Sequence, residues 1–178
     1  MSLNFSTMPI SNPTSKSAPG LVVRTVIGID PGTAITGYGI LRVEHPNLTV
    51  LEYGVIRTPK EDTVSQRLVT LYEKLTQLLH AYEPKMAGCE QLFFAKNVKT
   101  AGAVAQARGV ILLALEQAGV PMIEFTPPQL KLAITGHGQA DKQQMQYMTQ
   151  RILQLTEPAH PDDAADALAL AIAVSQEH

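Results

Sequence analysis

Apolar positions in the first third of the chain run together over short stretches, which is typical of strands. A β-branched run over residues 22–30 stops at a Pro-Gly pair. The segments TGYGILRVE and LTVLEYGVIRT follow it, with a His-Pro-Asn turn between them. Runs of this length, bounded by turn residues, predict three antiparallel strands.

The spacing of apolar positions becomes helical after these strands. Asp62 or Thr63 can cap a helix, and Gln66 completes a Thr-x-x-Gln capping box with Thr63. The leucines that recur at helical spacing are Leu68, Leu71, Leu75, Leu78 and Leu79. They predict a helix that runs to about His80. The apolar run MAGCEQLFF then predicts a fourth, buried strand that carries Glu90 near its carboxyl end.

A long helix and one more strand come next. Helix-forming residues over 98–117 predict a helix that ends before Gly119, and VPMIEF predicts a fifth strand. A strand, a helix and a strand in succession imply a parallel crossover. The predicted fold class is therefore α/β, with a mixed five-stranded sheet of three antiparallel strands followed by parallel strands, flanked by helices.

Three further helices are predicted by capping sequences and an apolar face. Thr126 and Gln129 form one capping box, with proline at the first helical position, and Asp141 and Gln144 form another. The segment His-Pro-Asp-Asp at residues 160–163 opens a last helix, which is rich in Ala and Leu.

The composition indicates one globular domain in a reducing compartment. The chain has 178 residues, of which 45% are hydrophobic, and chains of this size usually form one core. Residues 1–20 are rich in Ser, Pro, Asn and Thr, which predicts a flexible extension or a cloning remnant before a domain at residues 21–178. No run approaches the roughly 20 apolar residues of a membrane helix. A single cysteine, Cys89, and no secretory signal predict the cytoplasm.

The charge is nearly balanced overall and uneven locally. A net charge of -2 gives no sign of a polyanion partner. Residues 96–151 hold six cations against three anions, a local excess of about three positive charges. Either a one-sided basic surface or ordinary solvated lysines would account for this excess.

Acidic residues from distant parts of the chain are candidates for chemistry: Asp30, Glu90, Asp163 and Asp166. Asp30 precedes Pro-Gly at a strand end, where its side chain could either stabilise a turn or belong to a functional site. Glu90 interrupts an apolar run, where an unpaired buried carboxylate costs on the order of several kcal/mol, so it needs a partner or a metal. Asp163 and Asp166 lie three apart on a helix and repel each other unless a cation or a proton lies between them. Helix capping explains only one of the two.

These four carboxylates converge if the last helix packs across the sheet beside the first and fourth strands. Clustered hard oxygen ligands favour Mg²⁺ or Mn²⁺ over zinc. Two such ions about 4 Å apart are the usual arrangement for phosphodiester hydrolysis, in which one activates water and the other stabilises the leaving 3′-oxygen. The acids therefore raise the hypothesis of two-metal phosphodiester hydrolysis.

Four segments resemble the successive signatures of one known family. IGIDPGTAITGYGIL, CEQLFFAKN, AQARG and PDDAADALALAIA are similar, in order and separation, to those of the RuvC Holliday-junction resolvases, over residues 25–176. The resemblance implies a ribonuclease-H-like fold and a homodimer in which each subunit nicks one of two like strands of a four-way DNA junction. It implies a role in homologous recombination and DNA repair, and leaves open the cleavage-site sequence and partners such as branch-migration proteins.

The resemblance also implies the metal ligands. Asp30, Glu90, Asp163 and Asp166 match the family's catalytic carboxylates, which hold two Mg²⁺ ions per site, with Mn²⁺ as a substitute. Helical geometry alone would equally allow Asp162 with Asp166, and only the D-A-A-D spacing of the family selects Asp163. Asp162 is then interpreted as a helix cap.

Three DNA-binding residues follow from the resemblance. Phe93 matches an aromatic near the bound junction, where stacking on an unpaired base competes with a place in the core. Lys131 and Lys142 match two lysines beside the active site, where a cation can hold the scissile phosphate or offset developing charge. Arg108 is expected to support its helix or the dimer, and His137 has no secure match and is interpreted as a solvated loop histidine.

The helix over residues 98–117 is apolar on nearly all sides. Such a helix must be covered by its own sheet and by a second surface, which makes it a candidate homodimer interface. Cys89, beside Glu90, is interpreted as a small buried hydrophobe.

Two other function classes compete with the resolvase. The GIDPGT strand and turn would also fit the phosphate loop of an actin-like ATPase, but a single domain without a second phosphate loop argues against it. The second rival is a nuclease of the same fold that prefers another nucleic acid, or a junction-binding module without catalysis. Retention of all four acids argues against an inactive module.

Overall fold

The structure, a computed structural model, describes residues 23–91 and 98–177. The sequence-predicted extension at residues 1–20 lies outside these ranges. The elements in chain order are β1 (Arg24–Asp30), β2 (Ile35–Glu44), β3 (Asn47–Arg57), α1 (Val64–Tyr82), β4 (Met86–Glu90), α2 (Val98–Gln117), β5 (Met122–Phe125), α3 (Pro127–Thr135), α4 (Lys142–Ile152) and α5 (Asp162–Ser175).

All five strands form one sheet, in the order β3-β2-β1-β4-β5. β1 pairs antiparallel with β2, and β2 antiparallel with β3. β4 runs parallel to β1 on one side and to β5 on the other. This arrangement confirms the predicted mixed sheet and makes β1 its central strand.

The two faces of the sheet bury two separate hydrophobic clusters. Strand residues alternate between the faces, so Ile27 and Ile29 of β1 pack with buried residues of α1 and α2. Val26 faces the other way and packs with α3 and α5. The domain therefore has three layers, with α1 and α2 on one side of the sheet and α3, α4 and α5 on the other.

Local sequence signals explain where most helices begin. Thr63 caps α1, Thr126 caps α3 and Asp141 caps α4, and each forms a complete capping box with a glutamine three residues later. These predictions are confirmed. The α1 helix ends two residues after the predicted His80, where Glu83 adopts a left-handed conformation.

The α5 helix begins differently from the prediction. Its N-cap is Pro161, which makes no side-chain cap hydrogen bond, and Asp162 is the first helical residue. The interpretation of Asp162 as the helix cap was therefore wrong. Because the proline backbone occupies the capping position, the Asp162 carboxylate turns outward and pairs with Lys142 instead.

Glycines in the strands allow α5 to lie directly against the sheet. A Cβ atom at Gly28 would overlap the backbone oxygen of Ala167, and one at Gly37 would overlap the backbone oxygen of Asp163. Glycine within a strand often marks such a close approach of another backbone. The helix that carries two of the candidate acids is therefore set at a distance from β1 and β2 that only glycine permits.

Replacing Gly28 by alanine is expected to lower the free energy of unfolding by about 3 kcal/mol, because the backbone of α5 must move away from β1. Gly138→Ala is the matched control, since a Cβ there would meet its nearest neighbour at an ordinary 3.4 Å. Urea unfolding of both variants measures the difference. Equal stability of the two variants would show that α5 has room to adjust.

Candidate active site

Asp30 and Glu90 end two neighbouring parallel strands. Ile29 of β1 is paired with Cys89 of β4, so the next residue on each strand lies beside the other. Alternation places Asp30 on the same face of β1 as Gly28, which contacts α5. Both carboxylates therefore lie at the carboxyl edge of the sheet, on the side covered by α5.

The first turns of α5 bring two more acids to this edge. Gly37, which is paired with Asp30 across β1 and β2, contacts the backbone of Asp163. Asp166 lies three residues further along the helix, and the side chains of Asp163 and Asp166 are both half-buried. The close packing of α5 on the glycines thus brings both aspartates to the end of β1.

Three other acids lie within electrostatic reach of Asp30, and we refer to the four together as the acid cluster. Burial raises the pKa of the Asp30 carboxyl to about 7, with further increases from the charges of Asp166, Asp163 and Glu90. Burial and the charge of Asp166 also raise the pKa of Glu90. Lys142 is the nearby cation that opposes the shift at Asp30. The cluster therefore carries more negative charge than its own surroundings neutralise.

The donor set fits a hard divalent cation. All four groups are carboxylates, which suits Mg²⁺ or Mn²⁺. Within residues 23–91 and 98–177, however, no group of three His, Cys, Asp or Glu side chains is gathered closely enough to hold a metal ion. The charges of the other three carboxylates nevertheless contribute, after burial, to the raised pKa of Asp30.

The raised pKa of Asp30 predicts how metal-free stability depends on pH. An acid whose pKa is higher in the folded state destabilises the fold once it ionises, so the destabilisation is complete above about pH 7 and fades as the pH falls toward 4. Asp30→Asn is therefore expected to stabilise the metal-free protein by on the order of 1 kcal/mol or more at pH 8, and by less at pH 5.

Thermal unfolding with a chelator at the two pH values measures this effect. Asp162→Asn is the matched control. The pKa of Asp162 is shifted in the opposite direction from that of Asp30, because the hydrogen bond from Lys142 lowers it. That variant should gain no stability at pH 8. A gain for Asp30→Asn that is the same at pH 5 and pH 8 would contradict the assigned burial and repulsion.

Lys142 lies at the edge of the acid cluster. Its Nζ is 2.6 Å from Oδ2 of Asp162, and both side chains are more than half exposed. Gln146 donates a second hydrogen bond, of 3.3 Å, to Oδ1 of Asp162. Asp166 and Asp163 also act on the ammonium group, and the pKa of Lys142 is raised, mainly by its bond to Asp162. The first residue of α4 is thus anchored beside α5.

Sequence reasoning missed the contacts of Arg108. This α2 residue is buried, and its guanidinium donates to the backbone oxygen of Glu90 at 3.0 Å and to Sγ of Cys89 at 3.2 Å. It also pairs with the carboxylate of Glu124 on β5. The sequence did show that Arg108 is a charged residue in a largely apolar helix, which is a sign of burial. It did not show which groups Arg108 contacts.

The other predicted residues lie around this centre or outside the described chain. Lys131 is half-buried on α3, which packs against α5, and the part of the chain that the structure describes shows no ion pair for it. His137 is exposed, in agreement with a solvated loop histidine. Cys89 is fully buried, as predicted for a small hydrophobe. Phe93 lies outside the described residues.

The mixed five-stranded sheet with helices on both faces is an α/β fold of the ribonuclease-H-like class, and the acids at its carboxyl edge suit phosphodiester hydrolysis. The sequence profile of the family described as crossover junction endodeoxyribonuclease RuvC matches residues 26–174. The chain therefore belongs to the RuvC family of crossover junction endodeoxyribonucleases.

Individual relatives agree with this membership. The RuvC of Fusobacterium nucleatum is 49% identical over 83% of this chain and 77% of its own length. That of Thermomicrobium roseum is 48% identical over 85% of this chain and 92% of its own. The structure of Thermus thermophilus RuvC in complex with Holliday junction substrate has a TM-score of 0.80 and 33% identity, and the match covers 84% of this chain and 92% of that one. No helix in the described part of the chain is long and apolar enough to cross a membrane.

Proposed function

We propose that this protein resolves Holliday junctions by metal-dependent nicking of two like strands, as one nuclease domain at residues 21–178. The observation that carries the proposal is the convergence of carboxylates at the end of β1 in a crossover junction endodeoxyribonuclease. A relative of known structure binds a Holliday junction substrate. The expected cellular setting is homologous recombination and DNA repair in the cytoplasm, with branch-migration proteins as candidate partners.

Asp30, Glu90, Asp163 and Asp166 would hold two Mg²⁺ ions, with Mn²⁺ as a substitute. Support comes from the all-oxygen donor set and from the raised pKa of Asp30, which is caused first by burial and then by the charges of the other three acids. When bound, the ions would supply an activated water and stabilise the leaving 3′-oxygen. The four side chains must all be ionised to act as ligands, and a cation in their midst would favour that state.

Lys142 is suited to hold the scissile phosphate. Its ammonium lies beside the cluster and is held by Asp162 at an exposed position, where a carboxylate and a phosphate can exchange. We assign Lys131, the second lysine expected beside the active site, to a phosphate contact, and Phe93 to stacking on an unpaired base. The contacts to the DNA phosphates would fix the position of the junction on the protein, and the acid cluster would carry out the cutting.

Cutting two like strands requires two sites, which a homodimer provides. The outward face of α2 supports this assembly, because Leu112 and Leu113 are 42% and 51% exposed. Gly109 lies on the same stretch, with nothing within 4 Å of where its Cβ would be. The exposed leucines and the uncovered glycine beside them form an apolar surface on which a second copy of α2 can pack.

Lys142→Ala is expected to slow junction nicking at saturating protein by about 100-fold, because the ammonium stabilises charge that develops on the phosphate. If Lys142 also contributes to affinity, the slope of log affinity against log salt should become shallower by about one unit. Lys131→Ala should also reduce nicking severely, and it should make that slope shallower if Lys131 contributes to affinity.

Lys74→Ala on the exposed surface of α1 is the matched control, on the opposite side of the sheet from α5. Binding titrations at several salt concentrations and single-turnover rates separate the two roles. Parent-like binding and cutting by both the Lys142 and Lys131 variants would mean that the proposed DNA path is wrong.

The proposed activity is tested with three substrates side by side: a synthetic four-way junction, a linear duplex and an RNA/DNA hybrid. The expected result is paired nicking of the junction alone, with Mg²⁺ and not with a chelator. Preferred cutting of the hybrid or the duplex would assign the protein to another substrate class of the same fold. Cutting that persists in the chelator would contradict the role of the acid cluster.

A further inference from the structure

Arg108 is an unusual residue for the core of this fold. It is 8% exposed, and it is the charged member of the buried polar residues in the described chain. Burying a guanidinium is costly unless its donors are paired with good geometry. The contacts that Arg108 makes therefore indicate what its burial achieves.

Those contacts join α2 to the two strands beside it. Nη1 reaches Sγ of Cys89 and the backbone oxygen of Glu90 on β4. Nη2 pairs with Glu124 on β5, whose side chain is 43% exposed. Because Glu124 is partly solvated, the ion pair alone does not account for the burial of the cation. The bond to the Glu90 backbone is the contact closest to the site.

The Glu90 backbone lies where the sheet ends. β4 ends at Glu90, and the amide of the next residue, Gln91, donates to the backbone oxygen of Phe125 on β5 at 2.9 Å. The Glu90 carbonyl is bonded to the arginine side chain, which fixes the orientation of this terminal peptide. The backbone sets the direction of the Cα–Cβ bond, so this hydrogen bond also sets the direction in which the Glu90 side chain leaves the strand.

We propose that Arg108 is a positioning residue, which orients the Glu90 backbone so that its carboxylate faces Asp30 across the site. Glu124 in turn orients the guanidinium. This inference rests on the proposed role of Glu90 as a metal ligand. Removing a group that orients a metal ligand typically weakens metal affinity by roughly 10–100-fold.

The test measures Mn²⁺ binding by the full chain, with no DNA present, at a temperature well below unfolding. Arg108→Met is expected to weaken Mn²⁺ binding by at least about 10-fold, and Arg108→Lys, which keeps the charge and part of the bonding, by less. In the Glu90→Gln background, Arg108→Met should have no further effect, because the two residues act through one ligand.

Arg24→Met is the matched control for loss of a structural guanidinium. Arg24 also donates to backbone oxygens, at 3.0 Å to Ser175, and lies at the other end of β1, roughly 20 Å from Asp30. Arg24→Met should lower thermal stability and leave Mn²⁺ affinity unchanged. If Arg24→Met weakened Mn²⁺ binding as much as Arg108→Met does, the positioning role would be overturned.

The variants also separate this inference from the proposed function. If Glu90→Gln weakens Mn²⁺ binding and neither Arg108 variant does, the positioning role alone is wrong. If Glu90→Gln leaves Mn²⁺ binding unchanged, the proposed metal ligands are wrong and the positioning role falls with them. If Arg108→Met does not fold, Arg108→Lys carries the test. Parent-like Mn²⁺ affinity in Arg108→Lys, or a loss that simply adds to the loss from Glu90→Gln, overturns the inference.

Discussion

Asp30→Asn is expected to lower the single-turnover rate of junction nicking by at least about 1000-fold, a change of about 4 kcal/mol in the activation barrier. Asp30 lies at the centre of the acid cluster, where three other carboxylates act on it. Asparagine has almost the same shape and cannot supply the negative charge that a divalent cation needs. Junction affinity should stay within about 3-fold of the parent, because affinity comes from basic contacts to phosphates.

Binding and cutting are measured on the same junction, with Ca²⁺ in place of Mg²⁺ for the binding titration. Glu73→Gln on the exposed face of α1 is the control for the change in net charge. A folded Asp30→Asn protein that loses binding in parallel with cutting would assign Asp30 a structural role. A rate within 10-fold of the parent would remove it from the chemistry.

Local signals were sufficient to predict most of the elements. The capping boxes at Thr63, Thr126 and Asp141 fix helix starts through contacts within four residues, which the sequence displays directly. The long helix at residues 98–117 has the predicted bounds, because helix formers fill it and Gly119 follows it. The antiparallel directions of β1, β2 and β3 and the parallel crossover from β4 to β5 were predicted from the runs and their connections, whereas the order of the strands in the sheet was not.

The convergence of the acids required long-range information. Asp30, Glu90 and the pair on α5 come from three distant parts of the chain, and their approach depends on how closely α5 packs against the sheet. That distance is set by Gly28 and Gly37, whose roles are visible only when the facing helix is in place. A glycine in an apolar strand was a signal that sequence reasoning could have used.

The partners of two side chains could not be predicted from local sequence. Asp162 has the residue type and the position of a helix cap. In the structure its carboxylate instead pairs with Lys142 of α4, which lies 20 positions earlier in the chain. Arg108 was expected to support its helix or the dimer, and its contacts reach two strands instead. Neither partner is adjacent in sequence, so no local pattern could identify it.

Asp163 and Asp162 provide the second large effect, because they are neighbours of identical chemistry in different surroundings. Asp163 is half-buried beside the Gly37 contact and acts electrostatically on Asp30, whereas Asp162 is exposed and paired with Lys142. Asp163→Asn is expected to reduce nicking by at least about 1000-fold. Asp162→Asn should stay within about 3-fold of the parent, because an exposed ion pair contributes little.

The most direct test of the four-carboxylate site is therefore the single-turnover nicking rate of these two variants on one four-way junction, across a Mg²⁺ titration. The site described here predicts that Asp163→Asn stays inactive at every Mg²⁺ concentration while Asp162→Asn follows the parent curve. Equal losses in both variants, or a loss in Asp162→Asn alone, would mean that α5 presents a different face to Asp30 and Glu90, and would contradict the proposed site.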